Sequence, residues 1–273
     1  MDFDGTLKPL DQPVHPLDLQ VLKFLGDQGI YRVIATGRSI NTFLKEWNPL
    51  ISIDYLISSS GIATSKFSLE GHLEILQKST FTASDADNAL QIARELELSF
   101  CVSPPPPEAH LFYYLGPPHG ELPFSFRARV RQYQGWAFPF SGDLHFPLGQ
   151  ILIIGSQENI QKAADLIRAK APTLSFVTTF SPYGDPDFWL EIFPPGISKG
   201  NAAATLAQSL NLEPHDALAL GNDFNDQALL EWAGLAFICP GAPNLLLEKF
   251  KNIPLGEPPL HYILHNYFKI SLS

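Results

Sequence analysis

Cysteine is nearly absent: Cys101 and Cys239 are the only two in 273 residues. They are far apart and match neither a disulfide framework nor a zinc-ligand spacing, so two packed thiols in a reducing compartment are the simpler reading. Long apolar runs are missing too. The stretch 151–154 is typical of the longest and cannot span a bilayer, and no basic-then-apolar leader follows Met1. The expectation is a cytoplasmic protein with no membrane partner. Positive charge is scarce: 18 Lys and Arg stand against 28 Asp and Glu, a formal charge of −10. That balance repels a nucleic-acid backbone, so nucleic acid is not expected as a main partner. It leaves a phosphorylated small molecule open, because a divalent cation and a few basic groups can invert the local field.

What is present is the composition of an ordinary globular protein, with 45% hydrophobic and 17% charged residues. The length allows two packed units. Leu17, Val21, Leu22 and Leu25 recur at helical spacing and stop at Gly29, and a short strand is expected over 31–35. Ser39 can cap a helix through Trp47, and 55–57 forms the next strand before a Ser-Ser-Ser-Gly turn. Such alternation predicts a parallel sheet covered by helices. The middle differs: a helix capped by Ser84, strands at 100–102 and 110–115 separated by Pro104 to Pro107, then strands at 150–154, 174–179 and 188–193 around a helix at 158–170. From Ser198 the alternating pattern resumes, with strands at 217–220 and 235–238. The predicted architecture is α/β: a Rossmann-like parallel-sheet core over 1–80 and 188–273 with an inserted α+β cap domain over 81–187. Residues 121–147 have no clear period and receive no assignment.

Four segments fall where the carboxyl ends of such strands would lie, the place where open α/β sheets gather ligands. The first is Asp2-Phe3-Asp4-Gly5-Thr6-Leu7. Alternate residues of an extended backbone share a face, so Asp2 and Asp4 can meet one substrate. Paired carboxylates suit phosphoryl transfer: one attacks phosphorus, while the other protonates the leaving oxygen and then deprotonates water. Carboxylate and phosphate repel, and a hard cation such as magnesium removes that obstacle. Thr36-Gly37-Arg38 offers a hydroxyl and backbone N–H groups to a phosphoryl oxygen. Lys199-Gly200 offers an ammonium to pentacoordinate phosphorus, and the turn Gly221-Asn222-Asp223-Phe224-Asn225-Asp226 offers oxygen ligands. Singly, each also fits a turn, a helix cap or a solvated lysine. Their order along the chain is what points to phosphoryl chemistry.

In that order the segments resemble the four motifs of haloacid dehalogenase superfamily phosphatases. The insert resembles the cap of subclass IIB, the Cof-type sugar-phosphate and cofactor phosphatases, and both the run 189–203 and Ala242-Pro243-Asn244 are similar to that group. The resemblance implies a phosphoric monoester hydrolase acting on a small phosphorylated metabolite, a sugar phosphate being favoured, through an aspartyl-phosphate. Asp2 is then the nucleophile and Asp4 the acid/base, with Thr36, Gly37, Arg38, Lys199 and Asn225 at the phosphoryl group and Asp2, Asp4 through its carbonyl, Asn222 and Asp226 at magnesium. The alternatives are a phosphotransferase or phosphomutase with the same nucleophile, or a catalytically weakened phosphate-ligand-binding protein. Two positions depart from the pattern: Asn222 stands where the family usually has Asp, and Ser60-Gly61 where Asn-Gly is usual. Arg127, Arg129 and Arg131 in the insert read as a solvated basic face.

Only Met1 precedes Asp2, whereas a central parallel strand is normally an apolar run of about five residues. An unfilled slot would strand backbone groups at about 1–3 kcal/mol each. The expectation is a natural chain that continues upstream, the alternative being a shortened strand held by Phe3 and Leu7.

Overall fold

The structure is a computed structural model and describes residues 1–68, 72–142, 145–184 and 186–272. Two compact units are present: Met1–Arg38, Thr42–Gln77 and Ser198–Ser273 form the first, and Ser39–Asn41 with Lys78–Ile197 form the second. Among the described residues no helix is long and apolar enough to cross a membrane.

The amino-terminal part alternates as its periodicity predicts. Helix α1 (Pro16–Asp27) starts at His15, whose ring nitrogen accepts the Leu17 N–H at 3.2 Å, and buries Val21 and Leu22. Strand β1 (Val33–Ala35), helix α2 (Ile40–Glu46) and strand β2 (Tyr55–Ser58) follow, with β1 and β2 parallel. Strands β3 (Ala63–Phe67) and β4 (Leu73–Lys78), which have no expectation above, extend the sheet in the order β1-β2-β3-β4.

The second unit holds helix α3 (Ala83–Glu95), β5 (Ser99–Ser103), β6 (Phe112–Leu115), helix α4 (Phe124–Gln132), β7 (Ala137–Pro139), β8 (Gln150–Gly155), helix α5 (Gln157–Lys170), β9 (Ser175–Phe180) and β10 (Phe188–Phe193). The strands form one sheet, β7-β6-β5-β8-β10-β9. Strand periodicity sorts its core: Ile151 and Ile153 of β8 pack with Leu90 of α3 and Ile167 of α5, while Leu152 and Ile154 pack with Phe112, Phe126 and Trp189. With both faces covered, β8 reads as an unbroken apolar run.

Three expectations are corrected here. Thr82, not Ser84, caps α3, its hydroxyl accepting the Asp85 N–H at 3.2 Å. Strand β10 pairs with β8 and β9, so it belongs to the second unit, which runs to Ile197 rather than ending at 187. The arginines of α4 are not one solvated face. Arg127 pairs with Glu121, whereas the Arg129 guanidinium lies 4.8 Å from the Phe112 ring and 5.3 Å from those of Tyr133 and Trp189.

The chain then returns to the first unit through helix α6 (Lys199–Ser209), β11 (Leu218–Gly221), helix α7 (Gln227–Trp232), β12 (Leu235–Ile238), the short helix α8 (Asn244–Leu247), β13 (Lys251–Asn252) and the short helix α9 (Pro259–Tyr262). Strands β11, β12 and β13 are parallel. Two residues link this sheet to β1: the Met1 ammonium donates to Val33 O at 2.9 Å, Ala35 N–H to Met1 O at 2.8 Å, and Asp2 N–H to Leu220 O at 2.8 Å. Met1 and Asp2 thus lie between β1 and β11 and bring Asp2 to the carboxyl ends of both. Beside Met1 is a cavity of about 470 Å³ lined by apolar side chains including Val21, Val33, Leu206 and Ile263. Burial pushes the terminal ammonium down to about 6.

Candidate active site

Asp2 of the first segment and Asn225 and Asp226 of the fourth meet around the buried Lys199 ammonium of the third, all within the first unit. Lys199 sits in the first turn of α6, held there by Ser198, whose hydroxyl accepts the Asn201 N–H at 3.0 Å. Its Nζ lies 2.7 Å from Asp2 Oδ1, 2.6 Å from Asp226 Oδ1 and 3.5 Å from Asn225 Oδ1. A lysine only 1% exposed is not the solvated surface residue that a lone helix-start lysine suggests. Burial alone would push this ammonium down, but the two carboxylates outweigh it and hold the group above its usual range. Asp2 is raised to about 6, chiefly by burial and next by Asp226, with Lys199 pulling the other way. Two buried carboxylates against one ammonium leave one negative charge in excess when all are ionised. Asp2 Oδ2 is buried with no hydrogen-bond partner, an acceptor that a nearby cation would satisfy.

Each Asp226 oxygen has a protein partner. Its Oδ2 accepts the N–H groups of Asn222 at 2.9 Å and Asp223 at 3.2 Å, which folds the turn after β11, and its Oδ1 takes Lys199. The Asn222 side chain lies against Gly5, where a Cβ would meet its Nδ2 at 2.3 Å, and Gly5 has φ +72°. This close approach brings the fourth segment onto the first. Among the described residues no group of three or more His, Cys, Asp and Glu side chains is arranged to hold a metal ion. Two carboxylates and an amide beside an unsatisfied oxygen nevertheless fit magnesium, which uses one or two carboxylates and keeps water or phosphate as further ligands.

Thr36 is buried, and its hydroxyl accepts the Arg38 N–H at 3.1 Å. The turn it begins is clasped by the next loop, with Ser60 N–H donating to Thr36 O at 3.0 Å and Ser59 N–H to Arg38 O at 2.8 Å. Ser59, Ser60 and Gly61 have φ of 50°, 57° and 109°, and two non-glycine residues in that region store strain. Gly61 is needed for a second reason: a Cβ there would sit 2.4 Å from the Ser198 carbonyl. The strained loop thereby fastens Thr36-Gly37-Arg38 to the start of α6 and so to Lys199.

Arg38 differs most from expectation. Its Nε and Nη2 each lie 2.7 Å from an oxygen of the Asp4 carboxylate. One participant has no expectation above. Glu46 Oε1 lies 3.8 Å from Arg38 Nη1, and nothing in the sequence marks it beyond a charge near the end of a helix. Cys239, expected as a packed thiol, is free and buried just after β12, where burial, Asp2 and Asp226 push its thiol up to about 12.

Comparison with known proteins gives a consistent result. Residues 1–253 match the family of haloacid dehalogenase-like hydrolases. Among curated relatives, an HMP-PP phosphatase of Enterobacter sp. (strain 638) is 27% identical over 274 residues, covering 97% of this chain and 93% of that one. Another of Escherichia coli (strain 55989 / EAEC) is 28% identical over 279 residues with the same coverage. The solved structure of BT1666 from Bacteroides thetaiotaomicron, a phosphatase of the haloalkanoate enzyme superfamily, superposes with a TM-score of 0.78 at 20% identity, covering 98% of this chain and 94% of that one. The subclass IIB sugar phosphatase BT4131 gives 0.72 at 15% identity, covering 98% of each.

Proposed function

As a member of the haloacid dehalogenase-like hydrolase family, to which it belongs, the chain is a phosphatase, and we propose that it is a magnesium-dependent hydrolase of a small phosphorylated metabolite working through an aspartyl-phosphate on Asp2. The observation that carries this reading is the buried trio Asp2, Lys199 and Asp226, with one Asp2 oxygen left unpartnered. An Asp2 oxygen attacks phosphorus, forming an O–P bond as the bond to the leaving oxygen breaks. Lys199 offsets the charge on the transferring group, and Asp226 holds Lys199 in place. Asp4 gives its proton to the leaving oxygen and takes one back from the water that attacks the aspartyl-phosphate, releasing phosphate and restoring Asp2. Asp2, Asp4 through its backbone carbonyl, Asn222 and Asp226 would hold magnesium, which would screen the repulsion between carboxylate and phosphate. Thr36 and Gly37 present a hydroxyl and a backbone N–H to the phosphoryl oxygens.

Two substrate readings follow from similarity. HMP-PP is named for relatives 27–28% identical over nearly the whole chain, and sugar phosphates for a neighbour alike in fold. Sequence similarity favours the first. The test is phosphate release from HMP-PP and a panel of sugar phosphates, with and without magnesium, in the wild type and in Asp2→Asn. Release that needs both magnesium and Asp2 supports the reading. No release from any substrate, or release that survives Asp2→Asn, defeats it.

A further inference from the structure

The Arg38 guanidinium meets Asp4 edge-on, with Nε at 2.7 Å from Oδ2 and Nη2 at 2.7 Å from Oδ1. Two parallel N–H···O bonds fix both the plane and the rotamer of a carboxylate, which a single ammonium cannot do. The edge that would grip a phosphate in the same way is therefore taken by Asp4. The remaining corner is anchored as well: Nη1 donates to the Thr42 carbonyl of α2 at 3.3 Å and lies 3.8 Å from Glu46 Oε1, and the guanidinium carbon stands 5.9 Å from the centre of the Phe3 ring.

The chain of charges continues back to its start. Glu46 Oε2 holds Lys8 Nζ at 3.4 Å, and Lys8 is tied by its backbone to the loop that carries Asp4, since Gly5 N–H donates to Lys8 O and Lys8 N–H donates to Phe3 O, both at 2.8 Å. Asp4, Arg38, Glu46 and Lys8 alternate in sign and close on one loop. Resting on the reading of Asp2 as nucleophile and Asp4 as acid/base, we propose that Arg38, steadied by Glu46, is a positioning residue that sets the Asp4 carboxyl for proton transfer and is not a ligand of the phosphoryl group.

Leaving-group dependence tests this. A phosphate ester of an aliphatic alcohol that the wild type hydrolyses, such as a sugar phosphate, expels an alkoxide that must be protonated, whereas p-nitrophenyl phosphate expels a phenolate that need not be. On kcat/KM, which reports steps up to phosphoryl transfer, Arg38→Ala should cost about 10²-fold with the sugar phosphate, of the order expected for losing acid catalysis, and several times less with p-nitrophenyl phosphate. The change should lie in kcat more than in KM. Arg38→Lys, which keeps charge but not the fork, should fall between, and Glu46→Gln should show the same preference more weakly. In an Asp4→Asn background Arg38→Ala should add little, because the two act as one unit. Equal losses on both substrates with a raised KM would make Arg38 a phosphoryl ligand and overturn the proposal, as would losses that multiply in the Asp4→Asn background. If Arg38→Ala is not folded by circular dichroism, the lysine and Glu46→Gln variants decide by the same criteria. Activity surviving in Asp2→Asn would instead sink the phosphatase mechanism itself, so the two failures are distinguishable.

Discussion

Replacing Lys199 by Met removes a buried cation that two carboxylates share while nearly preserving side-chain volume. In the wild type its Nζ lies 2.7 Å from Asp2 and 2.6 Å from Asp226, and Asp226 is completely buried. Taking away one partner of a buried ion pair costs about 3–5 kcal/mol, a large share of the roughly 5–15 kcal/mol that holds a native protein together. The deficit should depend on pH. Asp2 already stands near 6 against an ordinary 3.8 with Lys199 present, and without that cation burial and Asp226 push it up unopposed. A carboxyl whose folded value is raised binds more protons in the native than in the unfolded state across the interval, so stability falls as pH rises through it. The variant should therefore be furthest below the wild type at pH 8 and recover part of the gap by pH 5. Urea unfolding followed by circular dichroism at both pH values measures this. A variant as stable as the wild type at pH 8, or a deficit that does not change with pH, would refute the account of the buried trio.

Asn222→Asp should lower the magnesium concentration needed for half-maximal phosphate release by adding a charged oxygen beside Gly5; an unchanged or higher requirement would show that Asn222 is not at the metal. Asp18 is fully buried, accepts the His261 N–H at 2.9 Å, has no partner for Oδ2, and is raised by burial from 3.8 to about 6. It should remove about 3 kcal/mol of stability as pH climbs from about 4 to about 6, and Asp18→Asn should flatten the wild-type decline over that range in urea titrations.

What the sequence disclosed was local. The helix at Lys199 is marked by its Ser198 cap and by apolar spacing, and the turn after β11 by its run of Gly, Asn and Asp, so both were legible along with the alternation that frames them. The positions at strand ends brought Asp2, Lys199, Asn225 and Asp226 together as candidates without any pairing being visible. Arg38 was legible as a site residue but not in its partner, since Asp4 is 34 positions away and the fork depends on how the turn and the first loop are oriented. Strand β10 is legible as a strand, but the boundary beside it is not, because its pairing with β8 and β9 is not visible along the chain. Helix α4 was invisible since its buried face consists of Ser125 and Phe126 alone, the period being broken by arginines that pack on aromatic rings or pair with acids.

The central claim is that phosphorus passes through a covalent bond to Asp2. Borohydride added during turnover in magnesium reduces an aspartyl-phosphate to homoserine, and peptide mapping by mass spectrometry then locates the converted residue. Conversion of Asp2, seen only with substrate and absent in Asp2→Asn, is the predicted result. Turnover with Asp2 unmodified, or conversion at Asp4 or Asp226 instead, would contradict it.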